Sequence, residues 1–398
     1  MLKANHSITI MFYTRVFTSI NRHLSCLFLC CLSRLISATS LPLDEHLVFS
    51  PAEIAIIERF GPWPPLTQQD KTNRLDDLPL AQRLGKSLFF DPGLSANNQV
   101  SCASCHQPNK AFSDQIAIAQ GIHLGHRNTP TLWNIKFKRW YGWGGDIDTL
   151  WGASLRALLN PTEMAASAAS IKHYLSNQTY LQSQLQQLLP WKNAKTDQDK
   201  LVVVGKLLAA YQGSLISQKS EFDLFRESLM AQNDAESDHY SDAKKRGLKL
   251  FIGKGNCQVC HNGPLFSNNE FADIGIRYFD RQGKVDKGRY QGIQSLKASP
   301  FSSLGEYNDD TGLTSRIQAQ HLVLKHRNFG EFMVPSLRNI ASTSPYMHQG
   351  SLLTLDDVIE HYSNLDEERL HTDGVAILRP LNLTQAEKAD LKAFLESL

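Results

Sequence analysis

The chain has little cysteine, almost no net charge and, after its first 40 residues, no long hydrophobic run. Its 398 residues include 7 cysteines, and 41 basic side chains against 39 acidic ones give a formal charge of +2. This balance gives no electrostatic basis for binding nucleic acid or an acidic lipid surface. Apolar residues make up 42% and charged residues 20%, which excludes a disordered or collagen-like chain. A chain of this length is expected to form two domains.

The first 40 residues have the order of an export signal. Basic residues precede an apolar run at 24–32, and small residues follow at 37–40. This order is typical of a secretory signal, and the run is too short to span a bilayer. A disordered start, or initiation at Met11, is the alternative. We therefore predict a leader at 1–40 and a mature protein exported to the periplasm.

The seven cysteines fall into two groups. Three lie in the leader, and the other four form two Cys-x-x-Cys-His motifs, namely Cys102, Cys105 and His106, and Cys257, Cys260 and His261. This spacing is the attachment signature of c-type haem, in which both thiols form thioethers and the adjacent histidine can bind iron. A single copy could instead be half of a zinc site or a redox dithiol. Two copies with no other cysteine beyond the leader favour two covalent c-type haems.

Helical spacing dominates the mature part, and strand-like alternation is scarce. Capping boxes at 50–53 and 384–387 predict a helix near each end. A Gly-x-x-Leu-Phe segment precedes each cysteine motif, at 85–89 and at 247–251, which indicates a duplicated domain. We predict a mainly α fold with long irregular loops and a boundary in the polar segment 232–238.

The second axial ligand of each iron decides whether a haem transfers electrons or reacts with peroxide. Met333 and Met347 lie nearest to the loops that could face a haem, although ordinary apolar packing is the alternative for both. Aromatic residues are concentrated between the two cysteine motifs and could form core or a path for electrons. They are Trp133, Trp140, Tyr141, Trp143 and Trp151.

Longer blocks of sequence accompany the two motifs in a specific order. They lie at 88–95, 127–134, 143–145, 159–164, 335–340 and 345–350. In this order they resemble the bacterial di-haem cytochrome c peroxidase family, in particular its MauG- and MbnH-like branch, from about residue 75 to the C terminus. The resemblance implies two cytochrome c-like domains, each with one covalent c-type haem. We place these domains at 41–232 and 233–398.

The resemblance also implies roles for individual residues. It makes His106 the ligand of a peroxidatic N-terminal haem and His261 the ligand of an electron-transfer haem, with Trp143 between them. Glu163 matches a distal acid, and a carboxylate there can take a proton from peroxide and return it to the departing oxygen. Asn128 matches a residue that helps to bind a calcium ion between the domains. A solvated carboxylate and a turn-forming asparagine are the alternatives.

Two features depart from the typical peroxidase. The typical enzyme has a histidine that caps the resting N-terminal haem, but neither His123 nor His126 has the expected spacing, and their ligation is left open. Where the typical enzyme has a methionine ligand, this chain has Tyr362, which is the MauG-like arrangement. A tyrosine that only packs on the haem edge is the alternative.

These interpretations predict a periplasmic peroxidase-family oxidoreductase that uses hydrogen peroxide and transfers electrons between two haems through Trp143. A small cytochrome c or copper protein would be the electron donor. One alternative is MauG- or MbnH-like oxidation of tryptophan or tyrosine in a partner protein. A non-catalytic di-haem electron carrier is another, but such a carrier has no use for a distal acid at Glu163. We expect neither a nucleic-acid partner nor a membrane span.

Overall fold

Helices joined by long irregular segments make up the described part of the chain. The computed structural model describes residues 47–66, 69–233, 239–277, 279, 283–366 and 378–398. The predicted leader and its cysteines lie outside these residues, and so does most of the predicted boundary segment. Residues Phe49–Leu398 form one compact unit, and the division between 232 and 233 stays a prediction.

The secondary structure confirms the helix-rich expectation. The helices are α1 (Pro51–Glu58), α2 (Pro79–Phe89), α3 (Cys102–Cys105), α4 (Leu150–Leu159), α5 (Ala168–Ser176), α6 (Thr179–Leu185), α7 (Leu189–Asn193), α8 (Asp197–Gly213), α9 (Glu221–Met230), α10 (Asp242–Ile252), α11 (Arg289–Ala298), α12 (Ile317–Gln320), α13 (Leu355–Ser363) and α14 (Gln385–Glu396). Short 3₁₀ turns lie at Pro92–Leu94, Pro108–Lys110, Ile135–Phe137, Cys257–Val259, Thr314–Arg316, His326–Asn328 and Ile340–Ser342. Strands β1 (Phe271–Ala272) and β2 (Phe332–Met333) pair antiparallel, with Phe271 opposite Met333.

Both predicted capping boxes start the expected helices. The Ser50 hydroxyl accepts from the backbone N–H of Glu53, and the Glu53 carboxylate accepts from the backbone N–H of Ser50. Thr384 and Glu387 make the same pair of bonds at the start of α14. Each box satisfies backbone N–H groups that have no partner inside a helix, which is why the sequence fixes these two starting points.

The repeated Gly-x-x-Leu-Phe segment marks two equivalent helix crossings. A Cβ atom on Gly85 would lie 1.9 Å from the carbonyl oxygen of Leu207, and one on Gly247 would lie 2.0 Å from that of Asp390. Only glycine therefore lets α2 cross α8, and α10 cross α14, at this distance. Phe89 and Phe251, four residues later, are fully buried beside these crossings.

Two large hydrophobic clusters result, and each supports one cysteine motif. The first is built mainly from α2, α4, α5 and α8, and Cys102 packs against it. The second combines α1 and α9 with α10, α13 and α14, and Cys257 packs against it. The two motifs therefore lie on separate cores within the same compact unit.

Candidate functional site

The first cysteine motif is held in a single helical turn. Helix α3 is capped at Ser101, whose backbone N–H donates to the Ser104 hydroxyl at 3.0 Å. Cys102 and Cys105 form no disulfide. Burial, with a smaller contribution from the nearby Glu163 carboxylate, raises the pKa of both thiols to about 12. A redox dithiol needs a lowered thiol pKa, so this environment argues against that alternative.

His106 is oriented by a backbone carbonyl. Its Nδ1 lies 3.0 Å from the carbonyl oxygen of Phe112, and burial lowers the pKa of the imidazole. A neutral ring that donates its Nδ1 hydrogen to a carbonyl has its Nε2 lone pair available for a metal. The ring is therefore in the state that iron ligation requires.

The second motif repeats this arrangement. Nδ1 of His261 lies 3.0 Å from the carbonyl oxygen of Phe266. Burial lowers the pKa of His261, although the carbonyls of Phe266 and Pro335 favour the protonated ring. Burial also raises the pKa of Cys257 to about 12 and raises that of Cys260. Both histidines are thus neutral and oriented through Nδ1.

Tyr362 lies beside the second motif. It belongs to α13, and burial raises the pKa of its phenol, with a further contribution from the thiols of Cys257 and Cys260. His361 next to it is tied to the carbonyl of Ile274 at 2.7 Å. The structure therefore brings together the tyrosine and the cysteines that the sequence analysis assigned to one haem, while iron ligation by Tyr362 stays a prediction.

The two methionines considered as ligands have other contacts. Met333 is buried in β2, and its backbone N–H donates to the carbonyl of Trp143 at 2.9 Å. Met347 has a left-handed backbone, with φ of 71°, and packs against the second hydrophobic cluster.

Glu163 lies near the first motif and is held by its own loop. Asn160 Nδ2 donates to Glu163 Oε1 at 2.7 Å, and Arg156 Nη1 lies 3.4 Å from the same oxygen. The charge of Glu163 acts on Cys102, Cys105 and His106, which places the carboxylate close to all three. Its side chain is 36% exposed, so solvent can exchange protons with it.

Trp143 is hydrogen bonded to two segments that are distant from each other in sequence. Its Nε1 donates to the carbonyl of Asn128 at 2.9 Å, and its own carbonyl accepts from Met333. Asn128 is buried, donates from Nδ2 to the carbonyl of Ile116 at 2.8 Å, and donates from its backbone N–H to the carbonyl of His348. Trp140, Tyr141 and Trp151 are buried, in keeping with a core role.

The two histidines near the first motif that could cap its haem lie at the surface. His123 and His126 are both exposed, and the backbone N–H of His123 donates to the carbonyl of Thr162 at 3.0 Å. This contact places the 121–123 segment beside the Glu163 loop.

Comparisons with known proteins match these features. The family model described as di-haem cytochrome c peroxidase matches residues 80–230. Cytochrome-c peroxidase IdrP2 of Denitromonas iodatirespirans is 32% identical, over 79% of this chain and 80% of that protein. Methylamine utilization protein MauG of Methylorubrum extorquens is 30% identical, over 79% and 77% respectively. The chain belongs to the di-haem cytochrome c peroxidase family.

Solved structures show the same fold. A MauG-like protein associated with microbial copper homeostasis has a TM-score of 0.63 at 24% identity and covers 85% of this chain and 93% of its own. The diheme peroxidase BthA of Burkholderia thailandensis has a TM-score of 0.62 at 23% identity, over 80% and 86%. Membership of the di-haem cytochrome c peroxidase family makes the chain a peroxidase-type oxidoreductase.

The residues present fit the two c-type haems that this family implies. Each motif offers two unpaired thiols and a neutral histidine whose Nδ1 is already engaged. Each motif also rests on its own hydrophobic cluster, as an apolar porphyrin requires. No helix among the described residues has the length and apolar character needed to cross a membrane.

The structure adds a buried cluster next to Trp143 that the sequence analysis missed. His348 is 2% exposed, stacks on Phe332 with ring centroids 3.5 Å apart, and has no hydrogen-bond partner for Nε2. Burial lowers its pKa to about 3. Arg127 donates to both carboxylate oxygens of Asp286 at 2.8 and 2.7 Å. These partners are far apart in sequence, so the cluster could not be predicted from spacing. The one signal in the sequence is that Arg127 and His348 lie inside the family-like blocks 127–134 and 345–350.

Proposed function

We propose that the chain uses hydrogen peroxide as its oxidant and that Trp143 carries electrons between its two haem sites. Cys102 and Cys105 would hold one haem with His106 as the iron ligand. Cys257 and Cys260 would hold the other haem, and its iron ligands would be His261 and Tyr362. A bound haem supplies iron that can exchange electrons with peroxide. The net reaction takes two electrons and two protons to convert peroxide into two waters.

The position of Glu163 is the observation that carries this proposal. Asn160 and Arg156 both contact Oε1, and this leaves Oε2 to accept a proton from peroxide and to return it to the departing oxygen. A carboxylate fixed beside Cys102 and His106 has no purpose in a protein that only carries electrons. This geometry favours catalysis over the non-catalytic di-haem carrier.

Trp143 has the contacts of a residue that transfers electrons without protons. Its indole N–H donates to the carbonyl of Asn128, and an amide carbonyl is too weak a base to take that proton. The ring can therefore lose an electron and regain it while its N–H bond stays intact. Loss of a proton would slow the return of the electron, so this environment suits rapid transfer.

The position of Tyr362 favours a second candidate function. Its phenol lies beside Cys257 and Cys260, where the typical peroxidase would have a methionine. A tyrosine oxygen favours oxidised iron, whereas a methionine sulfur raises the reduction potential. The second candidate is therefore MauG- or MbnH-like oxidation of tryptophan or tyrosine in a partner protein. The first candidate would instead draw electrons from a small periplasmic cytochrome c or copper protein.

Asn128 is proposed as one ligand of a calcium ion. Its Nδ2 donates to the carbonyl of Ile116, which fixes the amide and leaves Oδ1 as the atom for a cation. Amide and backbone oxygens are ligands that calcium accepts.

The test uses the purified, exported protein. A pyridine haemochrome assay should give two covalent haems per chain, and the holoprotein should consume peroxide when supplied with a reduced donor or a partner protein. Two haems without peroxide consumption would overturn the enzymatic proposal and leave the carrier. Fewer than two haems per chain would show that at least one of the two motifs does not bind haem.

A further inference from the structure

The carbonyls that orient the two histidines lie in matching turns. Phe112 and Phe266, which accept from His106 and His261, both have a left-handed backbone, with φ of 53° and 50°. Both phenylalanine side chains are buried. A left-handed conformation at a residue other than glycine is strained, so it persists only where neighbouring contacts hold it.

A hydroxyl group holds each turn at the residue before the phenylalanine. Thr131 Oγ1 donates to the carbonyl of Ala111 at 2.5 Å, and Ser336 Oγ donates to the carbonyl of Leu265 at 2.7 Å. Each bonded carbonyl belongs to the peptide that precedes the left-handed phenylalanine. The hydroxyl therefore fixes the peptide whose rotation would release that conformation.

These hydroxyls occupy the same position in a short internal repeat. The segments are Pro-Thr-Leu-Trp-Asn at 130–134 and Pro-Ser-Leu-Arg-Asn at 335–339. Asn134 and Asn339 are both left-handed, with φ of 64° and 60°, and each precedes a 3₁₀ turn. The two copies of the repeat therefore share their sequence pattern, their backbone conformation at the asparagine and their hydroxyl-to-carbonyl hydrogen bond.

The fourth position of the repeat differs between the copies. Trp133 packs edge-on against Phe112, with ring centroids 5.0 Å apart. Arg338 instead donates to the carbonyl of Pro264 and forms a bidentate, fully buried pair with Asp223 at 2.7 and 2.8 Å. The second turn is therefore held by a buried charged side chain, whereas in the first turn the backbone N–H of Leu132 donates to the carbonyl of Phe112 at 3.3 Å.

We propose that Thr131 and Ser336 are positioning residues, one for each proximal histidine, and that Arg338 reinforces only the second. The proposal rests on the proposed role of His106 and His261 as iron ligands. The hydrogen bond from Nδ1 to a carbonyl sets the orientation of a ligating histidine and its basicity, and through them the reduction potential of the metal. Releasing a turn weakens that bond at one haem and leaves the other unchanged.

The experiment measures the midpoint potential and the EPR signal of each haem in the holoprotein. Thr131→Val removes the hydroxyl with little change of shape and should shift the reduction equilibrium of the N-terminal haem alone. We expect about a tenfold change, which is about 59 mV for one electron. Ser336→Ala should shift only the C-terminal haem, and by less, because Arg338 still holds Pro264.

The conservative variants provide the controls. Thr131→Ser and Ser336→Thr keep the hydroxyl and should retain the potentials of the unmodified protein, which a purely steric role would not predict. The proposal would be overturned if neither Thr131→Val nor Ser336→Ala changed a potential. It would also be overturned if either variant shifted the potentials of both haems equally. A larger shift in Ser336→Ala than in Thr131→Val would overturn the part assigned to Arg338. Haem content and peroxide consumption of the unmodified protein test the proposed function separately.

Discussion

The indole N–H of Trp143 donates a 2.9 Å hydrogen bond to the backbone carbonyl of Asn128. The same asparagine donates its backbone N–H to the carbonyl of His348. The ring proposed to carry electrons is therefore tied to a rigid backbone, with a partner that leaves its proton in place. Because the Trp143 indole keeps both its position and its N–H proton, the surrounding atoms need to move little when the ring is oxidised and reduced.

Trp143→Phe should slow peroxide-driven oxidation of the donor or partner protein while keeping both haems. Phenylalanine is much harder to oxidise than tryptophan, so we expect a decrease of about tenfold or more, equivalent to about 1.4 kcal/mol in activation free energy. Steady-state turnover measures this change. Trp140→Phe is the control, because Trp140 is a nearby buried tryptophan that packs under the guanidinium of Arg289. Equal losses in both variants would show that core packing, not electron transfer, is affected.

Glu163→Gln should keep both haems and the fold but slow the reaction with peroxide. Loss of a group that accepts and returns a proton costs about 10²–10⁴-fold in rate. Stopped-flow mixing with peroxide measures the effect. Glu227→Gln is the control, since that exposed carboxylate is paired with Lys219 at 2.7 Å. A decrease of less than a few-fold in Glu163→Gln would make Glu163 a solvated loop carboxylate.

Local chemistry made part of the fold and site predictable from sequence. The capping boxes fixed helix starts because their bonds join residues three positions apart. The repeated Gly-x-x-Leu-Phe segment indicated duplication because a glycine at a close helix crossing leaves a visible signature. The spacing of the two Cys-x-x-Cys-His motifs was sufficient to predict c-type haem attachment.

The remaining features depend on contacts between distant segments. Thr131 and Ser336 lie at matching positions of a five-residue repeat that the sequence analysis did not identify, and so short a pattern does not say which carbonyl a hydroxyl will reach. The unpartnered Nε2 of His348 is a property of packing against Phe332. The ion pair between Arg338 and Asp223 joins residues 115 positions apart.

Stability should fall on acidification because of His348. Its folded pKa is lowered to about 3 by burial, whereas an unfolded histidine titrates near its ordinary value of about 6.5. Between these values the unfolded chain binds a proton that the folded chain does not, so stability is complete above about pH 6.5 and decreases as the pH falls towards 3. At pH 5 the loss amounts to about 2 kcal/mol.

Denaturant unfolding of the holoprotein at pH 7 and pH 5 measures this loss. His348→Gln should reduce the difference between the two pH values by about 2 kcal/mol, whatever it does to stability at pH 7. His321→Gln, at an exposed position, should retain the full difference. The same pH dependence in all three proteins would show that the folded His348 ring binds its proton at the same pH as the unfolded ring.

Tyr362 separates the two candidate functions. Burial and the neighbouring thiols raise the pKa of its phenol, so at neutral pH the oxygen keeps its proton unless a metal replaces it. A tyrosine oxygen bound to iron favours the oxidised state, whereas a methionine sulfur raises the potential. We therefore expect the C-terminal haem to resist reduction by ascorbate and to lack the near-infrared sulfur-to-iron band of a histidine–methionine haem.

Tyr362→Met should introduce that band and raise the potential of the C-terminal haem. It should also suppress oxidation of a partner protein more than consumption of peroxide, because peroxide reacts at the other site. Tyr346→Met is the control, since Tyr346 belongs to the hydrophobic cluster against which Cys257 packs, and its hydroxyl donates to the carbonyl of Ile340. If the unmodified protein already shows the sulfur band, Tyr362 is not the ligand. Met333 or Met347 would then be the candidate, and the cytochrome-fed peroxidase would become the better interpretation.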